Sequence, residues 1–134
     1  MIEDERGAVL HMMRADRAVF AGFGEAYFSE INPGIRKAWK RHHRSTQHLA
    51  VPRGQVRFAL YDDRRESPSH GRIELHELGR PGAYHLLTIP PLVWYAWRCL
   101  GDGPALVANC TDLPHDPAES DSIEILAATE GWEW

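Results

Sequence analysis

Between Ile35 and Tyr61 the chain alternates side-chain character twice, with a turn between the two runs. In the first, Ile35, Lys37, Trp39 and Arg41 fall on one face of an extended strand, and Arg36, Ala38, Lys40 and His42 on the other. Neither face is purely apolar, which fits a strand that lines a polar cavity better than one buried in a plain sandwich core. Leu49 to Val51 is short and apolar, and Pro52-Arg53-Gly54 is a turn signal. Gln55 to Tyr61 then alternates cleanly, with Val56, Phe58 and Leu60 on one face and Gln55, Arg57, Ala59 and Tyr61 on the other. The stretch predicts a hairpin whose first strand carries polar groups inward.

The flanking segments read the same way. Met1 to Gly7 is polar and frays, and Ala8 to Ala15 is a strand candidate of mixed periodicity. Ala18 to Glu30 carries Gly22 and Gly24, which disfavour a helix and point to a strand, a bend and a second short strand. Asn32-Pro33-Gly34 is a turn, and Asp62 to Gly71 is a charged loop. Further strands are expected at Arg72–Leu78, Tyr84–Ile89, Val93–Leu100 and Ala105–Cys110. Asp112 to Ser122 is a loop, Ile123 to Ala128 a short strand or helical turn, and the two tail indoles dock on the body. With closely spaced turns and no long helix, the expected class is all-β, a small barrel or two-sheet jelly roll. Closure of the sheets removes exposed edges.

Composition narrows the setting. The 134 residues suffice for a single domain spanning residues 1–134 with one core. A net charge of −4 argues against a general nucleic-acid partner. The local basic run Arg36 to Arg44 is then a solvated strand or loop, or a phosphate or carboxylate subsite. The two cysteines, Cys99 and Cys110, lack Cys-x-x-Cys spacing; reduced thiols are the simpler reading, and a disulfide stays open. No targeting pattern opens the chain and no apolar run nears about 18 residues, so a soluble cytoplasmic protein without a membrane partner is expected.

The run Gly34-x5-Lys40-x-His42-x4-Gln47-x6-Gly54 has the spacing of the first cupin motif, with Lys40 at its first histidine and Gln47 at its glutamate. Pro90 to Tyr95 resembles the second motif, with Tyr95 at the final histidine position and Cys99 at the asparagine. More narrowly, INPGIRKAWKRHHRSTQ, VRFALYDDRRESPSHG, IPPLVWYAW and ANCTDLPHDP resemble the dTDP-4-dehydrorhamnose 3,5-epimerase-like cupins over roughly residues 25 to 120. The resemblance implies a double-stranded β-helix, the cupin jelly-roll barrel. It places the family's substrate-holding arginine at Lys37, its histidine base at Lys40, a hairpin lysine at Gln47 and its tyrosine acid at Ala108. The carboxylate that partners the family's base has no counterpart after Ser122.

Of the four cupin metal-ligand positions, only His42 holds an ordinary ligand, so no metal and no other cofactor is expected. Lys40, His42 and Tyr95 instead form a candidate catalytic set. An imidazole works as a base near neutrality, a charged amine stabilises an enolate, and a phenol donates a proton. Lys37 and Arg57 are candidate anion contacts, Tyr61 shares the Arg57 face, and Trp39 is a candidate sugar platform. Gln47 and Asn109 complete the candidate substrate-binding set, Asn109 by pointing inward beside Tyr95. His43 and His48 have the opposite strand parity to His42 and read as surface or loop residues. Bland roles compete throughout: a solvated Lys40, a structural His42, a packed Tyr95. The expected function is a metal-independent isomerase or epimerase moving a proton beside a carbonyl, on a nucleotide-linked keto sugar or similar small molecule. A cyclase, dehydratase or lyase of secondary metabolism on the same scaffold, or a non-catalytic ligand-binding cupin, remain the alternatives. A homodimer is the expected assembly.

Overall fold

Alternating segments become strands nearly wherever the sequence shows them. The computed structural model describes every residue except Ile125 and Trp132. An exposed hairpin, β1 (Ile2–Asp4) and β2 (Gly7–Val9), opens the chain. There follow β3 (Glu25–Ile31), β4 (Arg36–His42), β5 (Gln47–Arg53), β6 (Gln55–Asp62) and β7 (Ile73–Gly79). Then come β8 (Leu87–Ile89), β9 (Val93–Cys99), β10 (Ala105–Thr111) and β11 (Ser120–Ile123). They pair antiparallel in two sheets, in the orders β3-β10-β5-β8 and β11-β4-β9-β6-β7. This is an all-β, jelly-roll-like architecture. The expected barrel closure is not found: among the described residues no ladder joins the two sheets. Pro90 directly follows β8 and has no N–H to extend its ladder.

The faces follow the period-two rule. Val56 and Phe58 are fully buried between the sheets with Val51, Val107 and Ile89, and Leu60 packs against them. Phe58 stacks on Trp97 at 5.8 Å between ring centroids. The β5–β6 turn needs Gly54: its φ is +80°, and a Cβ there would lie 2.7 Å from Ala105. The opposite face of the larger sheet buries Trp39, Ala59, Trp94 and Ala96 under Leu126 and Trp134. Trp134 meets Trp39 edge-on at 5.4 Å, so one tail indole docks as expected; the other, Trp132, lies outside the described residues.

Several boundaries move. The hairpin β1–β2 replaces the frayed start. The segment 18–30 holds one strand, β3, and Gly24 marks close backbone approach: a Cβ there would fall 2.1 Å from the Leu113 carbonyl carbon. The Tyr84–Ile89 strand shrinks to β8, whereas the apolar Leu49–Val51 run lengthens into β5. After β11 ends at Ile123, a short 3-10 turn spans Ala127–Thr129.

A bulge interrupts β4 between Lys37 and Lys40. Lys37 pairs with Trp97 and Lys40 with Tyr95, so three steps on β4 match two on β9. One extra residue reverses the side-chain parity beyond it. Lys37 therefore shares the inner face with Lys40 and His42, while Trp39 and Arg41 turn outward against Trp134 and Trp94. Simple alternation had grouped Lys37 with Trp39 and Arg41.

Candidate active site

His42, at the end of β4, sits between two oxygens. Its Nδ1 is 2.9 Å from Glu119 Oε1 and its Nε2 is 3.1 Å from the Tyr95 hydroxyl. Glu119 is 6% exposed and ends a 3-10 turn, Pro117–Glu119, capped by the Asp116 side chain accepting from Ala118 N. The Glu119 carbonyl also accepts from His43 N at 2.8 Å, which ties the loop to the strand end. A carboxylate only accepts, so Nδ1 carries the imidazole hydrogen and Nε2 accepts from Tyr95. Burial holds the His42 pKa below the usual imidazole value, and the charges of Lys40 and His115 push the same way; the Glu119 hydrogen bond and charge oppose them. Burial pushes the Tyr95 phenol well above its ordinary range, with Tyr27 and Glu119 adding to the effect, so Tyr95 stays protonated.

Tyr95 and Lys40 open onto a cavity of about 270 Å³ between the sheets. Tyr27 and Ser29 of β3, Lys37, Trp97 and Asn109 share its walls. A shallower recess continues from it past Tyr27 and Lys40 to His42, Gln47 and Glu119. Lys40 has no carboxylate partner among the described residues. Lys37 donates to Ser29 Oγ at 2.9 Å and the Glu30 carbonyl at 3.1 Å, and its Nζ lies 4.6 Å from the Trp97 ring centre. Burial lowers its pKa.

The fold thus gathers Lys37, Lys40, His42, Gln47, Tyr95 and Asn109 around one hollow. It does not bring Trp39, Arg57 and Tyr61 there. Trp39 is packed on the outer face, where Tyr61 also lies, and Arg57 donates its Nε to Glu77 at 2.9 Å in a strand-to-strand ion pair. All three sit on the wrong side of the larger sheet: β6 alternates without a bulge, and the bulge in β4 leaves Trp39 outside. Glu119 and Tyr27 were missed. Tyr27 follows from alternation of Glu25, Tyr27, Ser29 and Ile31 once β3 is placed; Glu119 lies in a loop, where no periodicity signals it. Among the described residues no group of three His, Cys, Asp or Glu side chains is placed to hold a metal ion. Cys99 and Cys110 are free and buried.

The Glu119 contact yields a direct expectation. Glu119→Gln keeps an acceptor but removes the charge that raises the His42 pKa. The His42 midpoint, followed by NMR titration of its ring carbons, shifts further downward in this variant. An unchanged midpoint would show that Glu119 does not act on the imidazole.

The inward acid/base cluster between two jelly-roll sheets defines an epimerase-like cupin. No protein-family model matches the chain. A solved dTDP sugar isomerase from Desulfovibrio desulfuricans is 51% identical, with a TM-score of 0.92, covering 99% of this chain and 85% of that one. Two curated proteins are each 29% identical: a probable low-salt glycan biosynthesis epimerase of Haloferax volcanii, over 91% of this chain and 79% of its own, and a spore coat polysaccharide biosynthesis protein of Bacillus subtilis, over 98% and 87%. The chain belongs to the family of that sugar isomerase, among the cupins related to dTDP-4-dehydrorhamnose 3,5-epimerase.

Proposed function

We propose that the protein is a metal-independent epimerase or isomerase that moves a proton beside the carbonyl of a nucleotide-linked keto sugar. The observation that carries this reading is the Glu119–His42–Tyr95 array ending at a cavity that also receives Lys40. Tyr95 lines the cavity and His42 stands behind it, which suits a relay. The phenol oxygen takes the proton from the carbon next to the carbonyl as its own proton passes to His42 Nε2. The electron pair left on carbon becomes the enolate double bond, and the Lys40 ammonium stabilises the enolate oxygen. Glu119 stabilises the imidazolium that forms; return of a proton to the enolate at the other face or position re-forms a carbonyl, and loss of the His42 Nε2 proton to solvent restores the resting state.

The cavity, near the lower end of the usual ligand range of ~300–1,000 Å³, suits one sugar ring with the nucleotide outside it. The 51% identical structure is a dTDP sugar isomerase and a curated relative is a probable epimerase, which supports this substrate class. The main apolar cluster draws on both sheets, which supports reading residues 1–134 as one domain. The exposed Phe28 on edge strand β3, with Phe23 just before it, supports a homodimer, and the two free thiols support a cytoplasmic setting. The test is incubation with a panel of nucleotide-linked keto sugars, read by proton NMR for inverted or migrated ring centres. Panel-wide recovery of unchanged sugar would overturn the proposal.

A further inference from the structure

A directional chain of hydrogen bonds crosses the floor of the site and ends at Tyr27. Asp112 Oδ1 accepts from Thr46 N at 2.8 Å and from Ser45 Oγ at 3.2 Å. Because a carboxylate only accepts, the Ser45 hydrogen is committed to Asp112. Ser45 Oγ then accepts from Gln47 Nε2 at 2.9 Å, which turns Gln47 Oε1 toward Asn109. Asn109 must answer with its amide nitrogen, which donates to Gln47 Oε1 at 2.7 Å and to the Tyr27 hydroxyl oxygen at 2.9 Å. Gln47 and Asn109 are 1% and 4% exposed, so water does not scramble this order. Each link fixes the next. The Tyr27 oxygen is occupied as an acceptor, and its hydrogen is left for the hollow.

Tyr27 stands on β3 of the smaller sheet, whereas Lys40, His42 and Tyr95 come from the larger one. It lines both the cavity and the recess. We propose that Tyr27 is the catalytic acid that returns a proton to the ligand carbon from the face opposite Tyr95, with Asn109 as its positioning residue. This rests on the enolate chemistry proposed above. The Tyr27 O–H bond breaks as the enolate double bond takes its proton and the carbonyl re-forms; the phenolate regains a proton from water, which reaches this 40% exposed residue, and the His42 imidazolium gives up to water the proton it received, so the cycle closes. Removal from one face and return from the other inverts the carbon. Burial holds the Tyr27 pKa above its ordinary value and outweighs the opposing Asn109 hydrogen bond, with the charge of Glu25 adding to the rise, so the phenol carries its proton at neutral pH.

The experiment uses the full chain in D2O with a dTDP-linked 4-keto-6-deoxyhexose, following deuterium uptake and ring stereochemistry together by NMR. For Tyr27→Phe, deuterium still enters the recovered substrate within about threefold of the wild-type rate, while inverted product falls by about 10²–10⁴-fold. Asn109→Asp retains the phenol but presents an acceptor that captures its hydrogen, and it gives the same split. Inverted product at the wild-type rate in Tyr27→Phe overturns the assignment, and so does an equal loss of exchange and inversion. Absence of exchange in the wild-type protein instead removes the enolate reading itself, and this assignment with it.

Discussion

Replacing His42 by asparagine should slow proton exchange at the ligand carbon by about 10²–10⁴-fold, the usual weight of one positioned acid/base group. The variant retains Lys40 and Tyr95, so the enolate oxygen still meets a cation and a phenol still lines the cavity. What is lost is the ring nitrogen that accepts the Tyr95 hydrogen bond at 3.1 Å and that the proposed relay uses as its proton acceptor. A buried phenol with a strongly raised pKa cannot ionise unaided near neutrality, so the relay stops at its first transfer. The pH profile follows from the same geometry. In the proposed relay neutral imidazole is the active form, and burial lowers the His42 pKa. As pH falls, the wild-type rate should hold until below the ordinary imidazole midpoint of about 6.5 and only then decline. Rate measurements between mildly acidic and neutral pH check this; an acid limb above that midpoint would contradict the assigned protonation state.

Phe58→Ala should cost about 3–5 kcal/mol of folding stability, the range for emptying a buried phenyl site. Phe58 is fully buried on β6 and packs between the sheets rather than beside a loop that could collapse inward. For a chain of this length the loss corresponds to a fall in Tm on the order of 10–20 °C, measured by calorimetry. The effect also reaches the site. Trp97 stacks on Phe58 and carries Lys37 on its ring, so loss of the phenyl removes the backing of one cavity wall. A change below about 1 kcal/mol would show that the core repacks around the void and that the wall is not held from behind.

The sheet strands were legible because their side chains alternate. Val56, Phe58 and Leu60 announced both β6 and its buried face, and the turn glycines set the spacing. The inward placement of Lys40, His42 and Tyr95 was legible from motif spacing. The position of Lys37 was not, because a bulge depends on how β4 meets β9 and leaves no local mark. The same limit hid Glu119: its role exists only because the loop after β10 folds back onto the end of β4. Arg57 and Tyr61 were drawn toward the site by their chemistry, yet their parity with Ala59, on the face opposite Phe58, already placed them outside. The absence of barrel closure was equally out of reach, since ladder ends are set by pairing across the whole sheet rather than by any one segment.

The central claim is that a phenol backed by a neutral imidazole lifts a proton from carbon beside a carbonyl. Its most direct test is solvent deuterium uptake by the wild-type protein acting on a dTDP-linked 4-keto-6-deoxyhexose, with the His42→Asn variant alongside. The account predicts deuterium at the ring carbon adjoining the carbonyl with wild-type protein, at a rate at least about 100-fold above the variant. Retention of protium at that carbon, or equal uptake by both proteins, would contradict it.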